Sequence, residues 1–150
     1  MINPRVDKSI ASGCFLGFLP LAPATFGSLW ALPIWFLTHT RWFLYGVCTI
    51  AVVVLGSWLA RDLTRREGKD PRFFVIDEVA GLLIALLAVV RFDWRLLLVA
   101  FILFRVFDIT KPFPIRRLES IGQGVGVMAD DLLAGVYAAV ATAIVDRFLF

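Results

Sequence analysis

One apolar run in this chain is long enough to cross a bilayer; every other is cut short by carboxylates, prolines or glycines. The uninterrupted run is 42–60 (WFLYGVCTIAVVVLGSWLA), and a spanning helix needs about 20 apolar residues. The remaining apolar segments cover roughly 9–19, 28–38, 73–90, 94–107 and 130–149. The residues are nevertheless 60% apolar, with a mean hydropathy of +0.85. A soluble domain is about 45–50% apolar, and a chain of this length buries about 70% of its unfolded surface. The excess must therefore face lipid. These constraints predict an all-α fold: one domain over 1–150, built as a compact integral membrane bundle of about six helical segments.

The first one or two segments are expected to be short, broken or re-entrant. Pro20, Pro23 and Gly27 interrupt 20–27, and Pro33 is expected to kink the helix over 28–38. The 42–60 helix is predicted to run on through Arg61, Asp62, Arg65 and Arg66 until Gly68. Lys111 precedes Pro112, which disfavours the α region and ends the fifth helix there. Gly122, Gly124 and Gly126 suit a loop that feeds a last helix starting at Asp130-Asp131. Asp130 could simply cap that helix.

The net charge of +3 and a pI near 9.2 do not indicate nucleic acid, because the arginines sit at the ends of apolar runs rather than in a basic stripe. Placing the N-terminus, 61–72 and 105–129 on one side gathers eleven of the fifteen Lys and Arg there. By the positive-inside rule that side is cytoplasmic. Cys14 and Cys48 lie in apolar stretches and read as small hydrophobes. His39 is the only histidine, which excludes a Ser-His-Asp triad, a histidine nucleophile and a His-rich metal site. The five tryptophans suit packing or an interfacial belt.

The same orientation brings Thr25, Ser28, Asp77, Glu78, Arg105, Asp108, Lys111, Arg116, Asp130 and Asp131 to one membrane face. Asp77 and Glu78 stand inside an apolar run, where ionisable residues mark function by default. Asp77 shares a helix face with Gly81, and Asp131 with Gly135, so a second helix can pack close beside each acid. Clustered carboxylates with no adjacent His or Cys form a hard-oxygen donor set suited to Mg²⁺, Mn²⁺ or Ca²⁺. Mg²⁺ commonly shares its shell with a substrate phosphate, and Arg and Lys bind phosphate. The residues by themselves point to an interfacial site for a metal and a phosphate.

The stretches PATFGS (23–28), IDEVAG (76–81), FRVFDITKPFPIR (104–116) and GVGVMADDLLAGVYA (124–138) resemble, in order, the motif blocks of the phosphatidylglycerophosphatase A family. The resemblance implies a Mg²⁺-dependent, all-helical phosphatase of the bacterial inner membrane. It would convert phosphatidylglycerophosphate to phosphatidylglycerol and phosphate at the cytoplasmic face. It further implies Asp77, Glu78, Asp130 and Asp131 as metal ligands and Asp77, Glu78, Asp108 and Asp131 as catalytic residues. Thr25, Ser28, Arg105, Lys111 and Arg116 would hold the phosphate, the first two at a helix N-terminus. Attack by a metal-activated water is the expected chemistry, and an aspartyl-phosphate the competing route. One departure is Ala24, where the family usually has glycine.

A membrane cation transporter would also place acids in apolar segments, but would spread them through bilayer depth. A CDP-alcohol phosphotransferase would need an Asp-Gly-x-x-Ala-Arg run, which this chain lacks. A structural membrane partner without activity is the third alternative.

Overall fold

A computed structural model describes residues 4–18, 22–67, 73–119, 121 and 125–149. Gly68, Lys69, Arg72, Gly122 and Gly124, on which sequence expectations rested, lie outside the described residues. Among the described residues there is no strand. The α-helices are α1 (Pro4–Ala11), α2 (Pro23–Ser28), α3 (Ala31–Thr38), α4 (Trp42–Glu67), α5 (Ile76–Ala85), α6 (Trp94–Thr110), α7 (Ile115–Glu119) and α8 (Val125–Leu149). Among the described residues eight α-helices stand in place of the six expected segments, because α2 and α7 fall between the apolar runs.

The prolines explain much of this difference. Pro23 occupies the first turn of α2, where its missing N–H is no loss. Pro33 falls within the first turn of α3 for the same reason, so it starts that helix rather than kinking its interior. The apolar segment at 9–19 is not one helix. α1 ends at Ala11, and Gly13, Cys14 and Phe15 turn the chain with φ of 55°, 55° and 71°. α4 runs on past its apolar half to Glu67, and α6 stops at Thr110, as read from the sequence. The stop has a different conformation from the extended one a pre-proline residue favours. Lys111 is left-handed at φ 41°, and its N–H donates to the Phe107 carbonyl at 2.9 Å.

The ten-residue α5 is the central helix. Ile76, Asp77, Val79, Ala80, Gly81, Leu82, Leu83 and Ala85 are all buried, enclosed by α2, α3, α4, α6 and α8. α8 comes closest. A Cβ on Gly135 would stand 2.2 Å from the Gly81 carbonyl oxygen, and one on Gly81 would stand 2.6 Å from the Asp131 carbonyl oxygen. Only glycine at both positions permits this approach. Leu82, Leu83, Leu86, Leu96, Phe104, Ala134 and Ala138 fill the core around the crossing. A second cluster of Leu59, Leu63, Phe74, Ile76, Ala80 and Met128 seals α4 against the starts of α5 and α8.

The outer surfaces are apolar. Exposed side chains recur every fourth residue on α8 (Val136, Val140, Ile144, Phe148) and on α6 (Leu98, Ile102, Val106), with Ile50, Val54 and Trp58 on α4. The described residues hold two helices long and apolar enough to cross a membrane, over Trp42–Arg66 and Gly126–Leu149. With 17 residues, α6 is about 25 Å long, short of the about 30 Å hydrocarbon core. The contacts fix two ends. At one end stand the C-terminal parts of α4 and α6 and the starts of α5 and α8. At the other, Arg91 meets Asp146 at 3.5 Å and the Trp35 indole donates to the Val89 carbonyl at 3.2 Å. Trp42 and Trp94, at the starts of α4 and α6, are strongly exposed at this second end, whereas Trp35 is core.

Candidate active site

α5 begins one residue before Asp77, so Asp77 and Glu78 occupy its first turn. There the positive end of the helix dipole favours carboxylates. The turn is anchored from outside by the Val75 N–H, which donates to the Ala11 carbonyl at 2.9 Å. The Glu78 N–H donates to Asp77 Oδ1 at 2.9 Å. Asp77 precedes Gly81 by one turn and Asp131 precedes Gly135 by one turn. The glycine crossing therefore sets the two carboxylates at one level of neighbouring helices.

One oxygen each from Asp77, Glu78 and Asp131 lies within 4.8 Å of the others. Asp77 and Asp131 are buried, at 7% and 5% exposure. The charges of Asp77, Asp108 and Asp130 crowd the Asp131 carboxylate. Carboxylates this close need a shared proton or a cation between them. Arg105 is the nearest cation to one flank, with Nη1 2.9 Å from Asp108 Oδ2 and 3.9 Å from Glu78 Oε1. On the other flank Lys111 Nζ donates to Asp130 Oδ2 at 2.7 Å. Among the described residues, five carboxylates thus gather with two cations. The donor set is all hard oxygen, so it fits Mg²⁺ on chemistry.

The structure brings together Asp77, Glu78, Arg105, Asp108, Lys111, Asp130 and Asp131. Asp130 differs in part from expectation: its carboxylate is held by Lys111 and stands outside the three-oxygen group. It is also not a cap, because α8 begins at Val125 and carries both aspartates in its second turn. Gly126, read as loop, is helical and buried there.

Thr25 is the third residue of α2 and lies in its first turn, whereas Ser28 is not at a helix N-terminus. Ser28 is the last residue of α2, fully buried, and its hydroxyl donates to the Thr25 carbonyl at 2.9 Å. α2 does pack at the carboxylate end of α5, since a Cβ on Gly27 would meet Val75 Cβ at 2.4 Å. Arg116 is exposed on α7 and, among the described residues, makes no ion pair with the cluster. The left-handed Lys111 backbone was not foreseen. A non-glycine residue held there carries strain of about 1–3 kcal/mol, and such strain concentrates at functional sites.

A sequence profile described as phosphatidylglycerophosphatase A matches residues 9–146. A Bacteroides thetaiotaomicron protein, named provisionally as a phosphatidylinositol-3-phosphatase, is 44% identical over 146 residues, covering 90% of each chain. The phosphatidylglycerophosphatase A of Escherichia coli is 36% identical over 133 residues, covering 87% of this chain and 77% of the relative. That of Haemophilus influenzae is 37% identical over 144 residues, covering 93% and 87%. No solved structure matches the chain.

Proposed function

Since this chain belongs to the phosphatidylglycerophosphatase A family, we propose that it hydrolyses the phosphomonoester of phosphatidylglycerophosphate at the cytoplasmic face of a bacterial membrane. The observation that carries the site assignment is the group of three carboxylate oxygens on Asp77, Glu78 and Asp131, flanked by Arg105 and Lys111. It stands at one end of helices whose outer faces are apolar, the level at which a lipid headgroup resides.

Asp77, Glu78 and Asp131 would hold Mg²⁺. When bound, the ion supplies Lewis-acid polarisation of phosphoryl oxygens and offsets the crowding of the carboxylates. Arg105 and Lys111 are the cations able to take phosphoryl oxygens, Arg105 in a fork geometry. Each is already held by a carboxylate, Asp108 or Asp130, which fixes where its charge stands before substrate arrives. In the favoured reaction water attacks phosphorus in line and gives its proton to Asp108, while the ester oxygen leaves on the opposite side and takes up a proton from solvent. The acids gather at one end of the fold rather than along its depth, which favours this reading over a cation path.

The name of the Bacteroides relative gives a second substrate a specific standing, because both lipids carry a phosphomonoester on a polyol headgroup. Phosphate release from phosphatidylglycerophosphate and from phosphatidylinositol 3-phosphate, measured side by side on purified protein with Mg²⁺, decides between them. Faster hydrolysis of the glycerol lipid supports the proposal; hydrolysis of the inositol lipid alone transfers it. The stereochemistry at phosphorus tests the attack itself: inversion with a chiral, isotopically labelled thiophosphate ester supports direct attack by water, whereas retention would establish the covalent route.

A further inference from the structure

A cavity of about 240 Å³ opens on the face of α5 that looks away from α8. Its walls come from separate elements: Ile10, Gly13 and Cys14 from the N-terminal turn, Trp30 and Ile34 from the start of α3, Val52 from α4, and Ile76 with Val79 from α5. Every side chain in that set is apolar apart from the Cys14 thiol, itself a weak hydrogen-bonding group, and the indole nitrogen of Trp30. That nitrogen donates to the Gly13 carbonyl at 3.0 Å, so it needs nothing from the cavity. Ile10 and Trp30 are exposed and form its lips. The cavity is therefore open to the surroundings of the protein on one side and closed on the other by the buried Ile76 and Val79.

Two features tie it to the site already described. Ile76 directly precedes Asp77, so the floor of the cavity and the first carboxylate belong to the same helical turn. The hydrogen bond from the Val75 N–H to the Ala11 carbonyl fastens the cavity's N-terminal wall to the start of that turn. A second apolar cavity, lined by Phe26, Leu29, Trp30 and Pro33, shares Trp30 with it and extends along the same surface. An aqueous ligand gains nothing from such a lining, whereas a hydrocarbon chain does. The volume is below that of ordinary small-molecule pockets, which suits one chain rather than a whole lipid.

We infer that this groove receives one acyl chain of the lipid phosphomonoester while the headgroup lies over the N-terminus of α5. The inference rests on the lipid-phosphatase reading and adds to it the structural basis of recognition of the chain. The groove holds the lipid from one side of α5 and the carboxylates meet its phosphate around the end of that helix. The N-terminal elements, which supply none of the carboxylates, then have a purpose in substrate binding.

The test uses single-chain substrate analogues that stay monomeric in water, in a series of increasing chain length. In the wild-type protein kcat/KM rises with each methylene, by up to about fourfold where the methylene is fully buried (about 0.8 kcal/mol). Ile34→Phe and Val52→Phe, on different helices, each fill the groove. Both are expected to flatten that rise through KM while leaving turnover of a chainless glycerol phosphomonoester unchanged. Equal chain-length dependence in wild type and both folded variants overturns the inference. Should the protein release no phosphate from any lipid, the catalytic reading fails separately. The groove is then judged by a phospholipid bearing a photoactivatable acyl chain. Cross-links at Ile10, Cys14, Trp30 or Ile34 support it, and cross-links confined to the exposed stripes of α6 and α8 overturn it.

Discussion

Gly81 and Gly135 meet backbone to backbone, so closely that a Cβ on Gly135 would stand 2.2 Å from the Gly81 carbonyl oxygen. This contact sets Asp131 beside Asp77, because each aspartate precedes its glycine by one helical turn. Gly135→Ala must push α8 away from α5. Overpacking of this kind typically costs about 1–3 kcal/mol, and here the obstacle is main chain. We expect a lower unfolding midpoint in detergent, together with a loss of activity larger than the loss of folded protein. Activity that simply tracks the folded fraction would show that the crossing does not position the site.

Lys111 and Asp130 form a pair that is costly to break from one side. Asp130 is only 4% exposed, and leaving a buried charge without its partner typically costs about 3–5 kcal/mol. Lys111→Met is therefore expected to destabilise strongly, and Lys111→Met with Asp130→Asn to recover much of the loss. A double-mutant cycle on denaturant unfolding measures this; additive effects would mean that the 2.7 Å contact is incidental.

The three clustered carboxylates oppose folding when no cation is present. Two unit charges about 4 Å apart repel by about 4 kcal/mol at an effective dielectric of 20. Asp131→Asn should therefore raise the unfolding temperature of metal-free protein while abolishing activity. Mg²⁺ should raise the unfolding temperature of the wild type and have little effect on that variant. A Mg²⁺ shift of equal size in both would place the metal elsewhere.

Arg105 spans Glu78 and Asp108, which a lysine cannot reproduce with one point charge. Arg105→Lys is expected to keep the fold and lose activity by at least tenfold, mainly in kcat. Full activity in that variant would confine Arg105 to a structural role.

Much of the site could be read from residue spacing. Acids inside apolar runs announced the cluster, and Asp77 and Asp131, each with glycine four residues on, announced the close crossing. The helix stop at Lys111 followed from Pro112. The start of α8 could not be read in this way. Glycine-rich sequence before Asp130 resembles a loop, whereas Val125–Asp130 is helical and Met128 within it packs so closely on α4 that a Cβ on Gly56 would stand 2.9 Å from its sulfur. The α2 helix was hidden because Pro23 breaks a helix when interior and begins one when first. The placement of Ser28 depends on that helix, so its buried hydroxyl was equally out of reach. The Lys111–Asp130 pairing joins residues from separate elements, and no local pattern specifies it.

We propose that Asp77, Glu78 and Asp131 form a Mg²⁺ site that serves phosphate release from phosphatidylglycerophosphate. The most direct measurement is phosphate release by the purified protein as Mg²⁺ is titrated after EDTA treatment, with Asp77→Asn in parallel. Saturable restoration of activity is expected in the wild type and none in the variant. Full activity in EDTA, or a Mg²⁺ response unchanged by Asp77→Asn, would contradict it.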